Sequence, residues 1–386
     1  MTRGRADPAG QAALREVMRA PSGSDPPREV EDIVGLFARL AMAQATPDER
    51  RRRLLALGVC GMTARAIPGI DPPPRPARAG RGAGARVEPA EVRAAEAMSG
   101  LFHAGDAAFG GGHGRRALSA YLAADLAPRL GRPASPEVRR RLVAVTGELA
   151  YQCAFMCFDD ELHGTAQSYY RAALRLAAEN DDDASYAIAL RGLSVQAHAL
   201  GHHRHALVLA EGAVGHGPRG QEMTRAFVYA QLAVARAADG AAHDALAALS
   251  VAEASLERIS SPGHGLSGAF HPAALLLAQA EVRALLGDPA GAVVALEGSV
   301  ECRPPAERRS RALVLARLAQ LHLRCGDLDQ AVGTWHRFLD EYRDLRCARA
   351  DRALQDLRTR IRPLAGNPGA RRLLHRATDL GVGIRD

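Results

Sequence analysis

Cys153, Cys157 and His163 are the nearest approach in this sequence to a metal-ligand set. Two thiols at i and i+4 share one face of a helix. Structural zinc needs four ligands at recognisable spacings, and only three residues are in range here. Cys157 sits inside the apolar run Ala154-Phe155-Met156-Cys157-Phe158, where a free cysteine packs as a small hydrophobe. The reading is therefore core packing. His202, His203 and His205 fall in an inter-helix turn; only His202 and His205 can share a face, and no carboxylate or thiol accompanies them. They read as an exposed turn. The run Gly110-Gly111-Gly112-His113-Gly114 lacks the terminal Lys and Ser/Thr of a phosphate-binding loop and follows no strand. It reads as a flexible connection. Asp159-Asp160-Glu161 reads as a turn, and Asp181-Asp182-Asp183 as the cap of a helix beginning near Ala184. No nucleophile stands beside a base in a recognisable motif. The residues imply no enzyme, no metal and no cofactor.

Charge gives a second lead. The chain has 386 residues and a net charge of +7, and all 50 of its cations are arginine. Residues 1–85 hold 14 Arg against 9 acids, so +5 of the +7 lies there. Arg50, Arg51, Arg52 and Arg53 form the densest run and are the candidate nucleic-acid contact. A solvated basic tail explains the same composition. The 6 cysteines form no CxxC pair, there is no secretory signal pattern, and no apolar run approaches the ~18 residues of a membrane span. The expectation is a cytoplasmic protein with reduced thiols, not embedded in a membrane.

These residues need elements to position them. Residues 1–27 are broken by prolines. Val30, Ile33, Val34, Phe37 and Leu40 repeat at three and four residues and predict a helix over 29–45. A second helix starts at Pro47-Asp48-Glu49 and carries the arginine run. Pro68 to Ala85 is Pro/Gly-rich and reads as a linker, which places a boundary near residue 85. Helices are then expected at 91–103 and 115–130, interrupted by the glycine run. Paired helices follow at 137–158 with 162–178, 184–200 with 203–214, and 223–238 with 242–259. A Gly/Ser/Pro loop over 260–268 leads to 272–286 with 290–300 and 306–324 with 328–342. Two terminal helices, 346–364 and 370–380, close the end.

The second helix of each pair carries one pattern, small-x3-large-x2-small. It reads Ala166/Tyr170/Ala173, Ala206/Ala210/Ala213, Ala245/Leu249/Ala252, Ala292/Leu296/Ser299 and Ala331/Trp335/Phe338. Five residues before the first alanine stands Gly201, Gly240, Gly287 or Gly326, where a left-handed turn ends a helix. The earliest full pair has Glu161 there, so its turn is expected to differ. Seven residues before that position a small residue recurs: Ala154, Ser194, Ala233, Ala280 and Ala319. This pattern resembles the tetratricopeptide repeat, although the key alanines are about 40 residues apart against roughly 34 in that module. Ala117, Tyr121 and Ala124 fit as a divergent first unit.

The order of the segments GGGHGRRALSAYL, RRRLVAVTGELAYQCAFMCFDDELHGTAQSYYRAALRLA and SVQAHALGHHRHALVLAEGA is similar to that in tetratricopeptide regulators of actinomycete type. In those proteins the repeats follow an Xre-type helix-turn-helix domain. The resemblance covers residues 86–364. It implies a DNA-binding N-terminus and a sensing array, but residues 1–50 show no clear helix-turn-helix; Leu14 to Met18 matches at most its first helix. It also implies that the first helix of each hairpin lines a concave groove. That places Glu148, Tyr151, Phe155 and Asp159 inward in one unit, then Arg191, Val195 and His198. Phe227, Ala230 and Val234 follow, and later Glu281, Gln320 and Arg324.

The sequence therefore predicts an all-α superhelical solenoid with a small helical N-terminal segment. The leading expectation is a regulator or scaffold that binds a peptide or protein in the groove. A DNA-binding regulator comes second, and a small-molecule sensor or pathway enzyme third. A homodimer is compatible with each.

Overall fold

The computed structural model describes residues 26–44, 86–217, 220–259 and 270–382. Four sequence expectations lie outside the described residues: the proline-broken stretch before residue 26 with Leu14 to Met18, the arginine-rich helix with Arg50 to Arg53, the linker 68–85 and the loop 260–268. Every described element is a helix, with no strand among the described residues.

Helix α1 is Pro26–Gln44. The array begins with α2, Pro89–Phe109, and α3, Gly111–Tyr121, which continues through a π turn at Leu122–Leu126 and a last turn at Ala127–Leu130. Pro128 follows the π turn and has no N–H for the helical ladder, which accounts for the irregular turn there. Four hairpins follow: α4 (Pro136–Asp159) with α5 (His163–Glu179), α6 (Asp183–Ala199) with α7 (His203–His216), α8 (Glu222–Ala238) with α9 (Ala242–Glu257), and α10 (Pro272–Leu285) with α11 (Pro289–Glu301). The next is α12 (Arg308–Arg324) with α13 (Leu328–Tyr342), and α14 (Ala348–Ile361) with α15 (Pro368–Val382) ends the array.

The repeat pattern explains the packing. All the small-large-small residues of α5, α7, α9, α11 and α13 are buried, as are Ala154, Ser194, Ala233, Ala280 and Ala319 on the facing helices. Small residues let the helices of each pair approach, and the large ones fill the gap. Trp335 and Phe338 are fully buried in edge-to-face contact at 5.2 Å. Burial of each such side chain stabilises by about 1.5–3 kcal/mol. Ser194 adds a polar tie: its hydroxyl donates to the Ala206 carbonyl at 2.7 Å and accepts from Gln231 Nε2 at 3.1 Å.

Two local expectations are corrected. The Glu161 turn does not differ from its glycine counterparts. Glu161 adopts φ 58°, Gly201 78° and Gly240 88°. The closing bonds match too: Leu162 N–H donates to Cys157 C=O at 2.8 Å, and His202 N–H to Ala197 C=O at 2.9 Å. The register of the hairpin imposes the left-handed residue, and Glu161 takes it despite its Cβ. The glycine run is not a flexible connection either. Only Gly110 breaks the chain of helices, and Gly111 to Gly114 form the first turn of α3. Gly111 and Gly112 are glycines because of what they face. A Cβ at Gly111 would stand 2.9 Å from Met156 Cα, and one at Gly112 2.9 Å from the Arg346 carbonyl oxygen.

Asp182 caps α6, accepting from Ser185 N–H at 3.0 Å, as the acidic run predicted. Helix α1 lies on the outside of the first hairpins. Ile33 and Phe37 are buried, and Phe37 stacks on Tyr169 at 5.9 Å. Gln44 closes its end, donating to Ser119 Oγ and Tyr169 OH at 3.1 Å each and accepting from Arg115 at 2.6 Å.

Candidate partner-binding face

The first helices α4, α6, α8 and α10 pack side by side, and α12 continues the row through Arg317 of α12 and Glu281 of α10, paired at 3.1 Å. This row is the concave face. The array coils far enough that its end returns to its beginning: the N-terminal ends of α12 and α14 meet the C-terminal ends of α2 and α4.

At that meeting Asp159 is 0% exposed. Its carboxylate accepts from Arg309 at 2.6 Å and from Arg349 at 2.7 Å. Arg309 also pairs with Asp106 at 3.1 Å. The two guanidiniums cover aromatic rings, Arg309 over Phe155 at 5.0 Å and Arg349 over Phe158 at 4.9 Å. Arg346 completes the join through main-chain bonds: its N–H donates to Phe109 C=O at 2.8 Å and its C=O accepts from Gly112 N–H at 2.9 Å. The Cys347 thiol donates to the Asp159 carbonyl at 3.7 Å.

Electrostatics follow from this crowding. Burial pushes the Asp106 carboxyl up to about 6, against the pull of Arg309 and helped by the charges of Asp159 and Asp160. Arg309 gives its shorter contact to Asp159, and Asp106 Oδ1 is buried without a hydrogen-bond partner. Burial alone would pull Arg309 down, but the carboxylates of Asp106 and Asp159 more than reverse it and hold the guanidinium charged. Burial also pushes the Cys347 thiol up to about 12.

Further along the face the surroundings change. The Arg191 guanidinium carbon lies over the Phe227 ring, 3.9 Å from its centre. Among the described residues no carboxylate is within ion-pair distance of it, and its Nε is buried without a partner. Val195 stands one turn on, half-buried on the same side of α6. Phe227 is packed in turn by Phe270 at 5.4 Å. His198 is held below its ordinary range by burial, with His203 and Arg317 adding and Glu281 opposing. Glu148 accepts from Ser99 at 3.0 Å, and burial raises its carboxyl. Gln320 donates to Asp356 at 3.2 Å, and Arg324 is exposed at the end of α12.

The residues expected to face inward fall into groups. Phe155 and Asp159 lie under the returning end. Tyr151 is buried, edge-on to Tyr170 at 5.5 Å and against Gly192. Arg191, Val195, His198 and Phe227 share one stretch with Glu281. The residues that the sequence reading did not single out are Asp106, Arg309, Arg317 and Arg349. Their pairs span up to 203 positions of chain, and no local spacing marks them.

The other candidates stay apart. Cys153 and Cys157 are fully buried, while the His163 ring stands 6.1 Å from Phe158. The rings of His202 and His205 are 6.0 Å apart. Among the described residues no group of three His, Cys, Asp or Glu is placed to hold a metal ion, and no helix is long and apolar enough to cross a membrane.

No family model and no curated protein matches this chain. Among solved structures it is similar to a signal transduction ATPase with numerous domains that carries a tetratricopeptide-repeat sensor, from Pyrococcus horikoshii, at 14% identity and a TM-score of 0.44. The match covers 69% of this chain and spans 39% of the length of that protein.

Proposed function

We propose that this chain is a regulatory or scaffolding protein that holds a peptide or protein segment on its concave face. Arg191 would meet an acidic group of that segment, and Val195 with the edge of Phe227 an apolar side chain. The observation that supports this is the state of Arg191. Glu281 and Arg317 further along the row pair with each other at 3.1 Å, while Arg191 has, among the described residues, the Phe227 ring and no carboxylate. A guanidinium on an aromatic face gains about 0.5–2 kcal/mol. A carboxylate would add charge-assisted hydrogen bonds and satisfy the buried Nε.

The test begins with a displayed peptide library selected on the full chain, followed by fluorescence anisotropy of the selected peptides. Arg191→Ala should weaken binding by roughly 10- to 100-fold, the worth of about 1.5–3 kcal/mol for a charged hydrogen bond. Far-ultraviolet circular dichroism should not change. Equal affinity for the variant would refute the assignment.

The second reading is a DNA-binding regulator of the Xre type with the array as sensor. Its support is the +5 charge of residues 1–85. It requires duplex binding that falls steeply with salt and weakens when Arg50 to Arg53 are replaced by alanine. Binding indifferent to both would refute it.

A further inference from the structure

The apolar interior of the array is not continuous. One core runs from Ile33 to Val282 and a second from Ala280 to Ala377, and both reach α10. Leu275 and Val282 of that helix belong to the first core, and Ala280 belongs to the second. Among the described residues the first core contains no buried side chain from α11 onward.

Where the two bodies meet again, at the returning end, charged and main-chain groups dominate the contact. They include Arg309 with Asp106 and Asp159, Arg349 with Asp159, Arg352 with Glu161 at 2.7 Å, and the main-chain pair around Arg346, with Cys347 and the Phe155 and Phe158 rings beside them. The sequence is fitted to this seam. Gly110 has φ 85°, and a Cβ there would stand 2.6 Å from the Arg346 carbonyl oxygen.

The two kinds of junction respond differently to separation. Parting an apolar junction exposes surface at about 25 cal/mol per Å². Parting a polar seam exchanges protein hydrogen bonds and ion pairs for water, and the net cost is much smaller than the gross interaction. The least costly way to open this molecule is therefore at the seam, with α10 as the pivot.

We propose that helices α11–α15 form a clasp that swings about α10 and closes on the C-terminal ends of α2 and α4. Closure sets access to Phe155 and to the carboxylates of Asp106 and Asp159. The clasp stands on the core division and the seam alone; its consequence for binding rests on the concave-face reading.

Native-state hydrogen exchange of the full chain tests it. Gly112 stands in the first turn of α3, and its amide has the Arg346 carbonyl as acceptor. The Arg346 amide has Phe109. Both should be protected, should exchange together, and should do so at least about tenfold faster than the amides in the middle of α6 and α8, through an opening smaller than global unfolding. In Gly112→Ala, whose Cβ meets the Arg346 carbonyl, exchange at Arg346 should rise at least about tenfold while α6 and α8 keep their rates. The clasp is overturned if Gly112 and Arg346 exchange only with α6 and α8 in global unfolding. It is equally overturned if they show no protection, or if the substitution accelerates all four sites alike. None of these results depends on a bound peptide, so failure of the clasp and failure of the concave-face reading are told apart.

Discussion

Gly192 and Gly333 offer a controlled measurement of how tightly the hairpins pack. Both lie inside helices, Gly192 in α6 and Gly333 in α13. Replacing glycine by alanine in a helix stabilises by about 1 kcal/mol through backbone propensity, and that gain is common to both sites. Their surroundings are opposite. At Gly333 a Cβ meets nothing within 4 Å. At Gly192 it would stand 2.5 Å from Tyr170 Cε1 and 2.9 Å from Tyr151 Cε2. Ordinary carbon contacts are about 3.5–4.0 Å, so the Tyr170 ring must move by about 1 Å. That ring is fully buried and Tyr151 nearly so, and neither can swing into solvent. Overpacking of this kind costs about 1–3 kcal/mol. Gly333→Ala should therefore be more stable than the parent by about 1 kcal/mol. Gly192→Ala should fall below Gly333→Ala by the overpacking cost, about 1–3 kcal/mol. Urea unfolding gives the ranking. Hydrogen exchange in α4–α6 and in α12–α13 gives it locally, since an array need not unfold as one unit. If Gly192→Ala equals or exceeds Gly333→Ala in stability, the close fit of the two tyrosines on Gly192 is wrong.

Three other outcomes follow from the same geometry. Glu161→Gly should raise the melting temperature: it relieves about 1–2 kcal/mol of left-handed strain and gives up a pair with the exposed Arg352 worth about 0–1 kcal/mol. Ser194→Ala should lower stability by about 1–3 kcal/mol, because the buried Gln231 amide and Ala206 carbonyl lose their link, and urea unfolding reads the loss. Glu91 is held at about 2, chiefly by the Glu88 N–H and then by Arg129 and Arg132. Its folded value lies below its unfolded one, so its contribution is complete above about pH 4.5 and is lost as pH falls toward 2. Thermal melts over that range should show a smaller loss on acidification for Glu91→Gln than for the parent.

Much of this architecture is legible in the sequence because its signals are local. The spacing of Ala206, Ala210 and Ala213 repeats in every hairpin, and one helical face reports each occurrence. Gly201 and Gly240 mark turns by conformation alone. Glu161 misled because residue type is only a preference, and the register of the hairpin outweighs the strain of one side chain. The glycine run misled for a related reason. Glycine signals freedom when read alone, but here it leaves room for Met156 and Arg346, which are remote in sequence. On the candidate face, Arg191, Val195 and Phe227 are expectations from the tetratricopeptide resemblance, whereas the covering of Asp159 by Arg309 and Arg349 depends on how far the superhelix coils. Small rotations at every hairpin sum to that coiling, and no single segment encodes it.

Helix α1 carries a consequence of another kind. Gln44 is fixed to Ser119 and Tyr169, and Val87 N–H is fixed to the Pro133 carbonyl at 2.9 Å. Both ends of the intervening stretch 45–85 are therefore anchored on the N-terminal part of the array. While that stretch is covalently intact, α1 meets its site as part of the same chain, and the contact does not depend on protein concentration. A cut within 45–85 would turn that intramolecular contact into a bimolecular one, whose occupancy depends on concentration. In nicked protein the covering of Tyr169 by Phe37 would then weaken on dilution, and apolar surface of the first core would meet water.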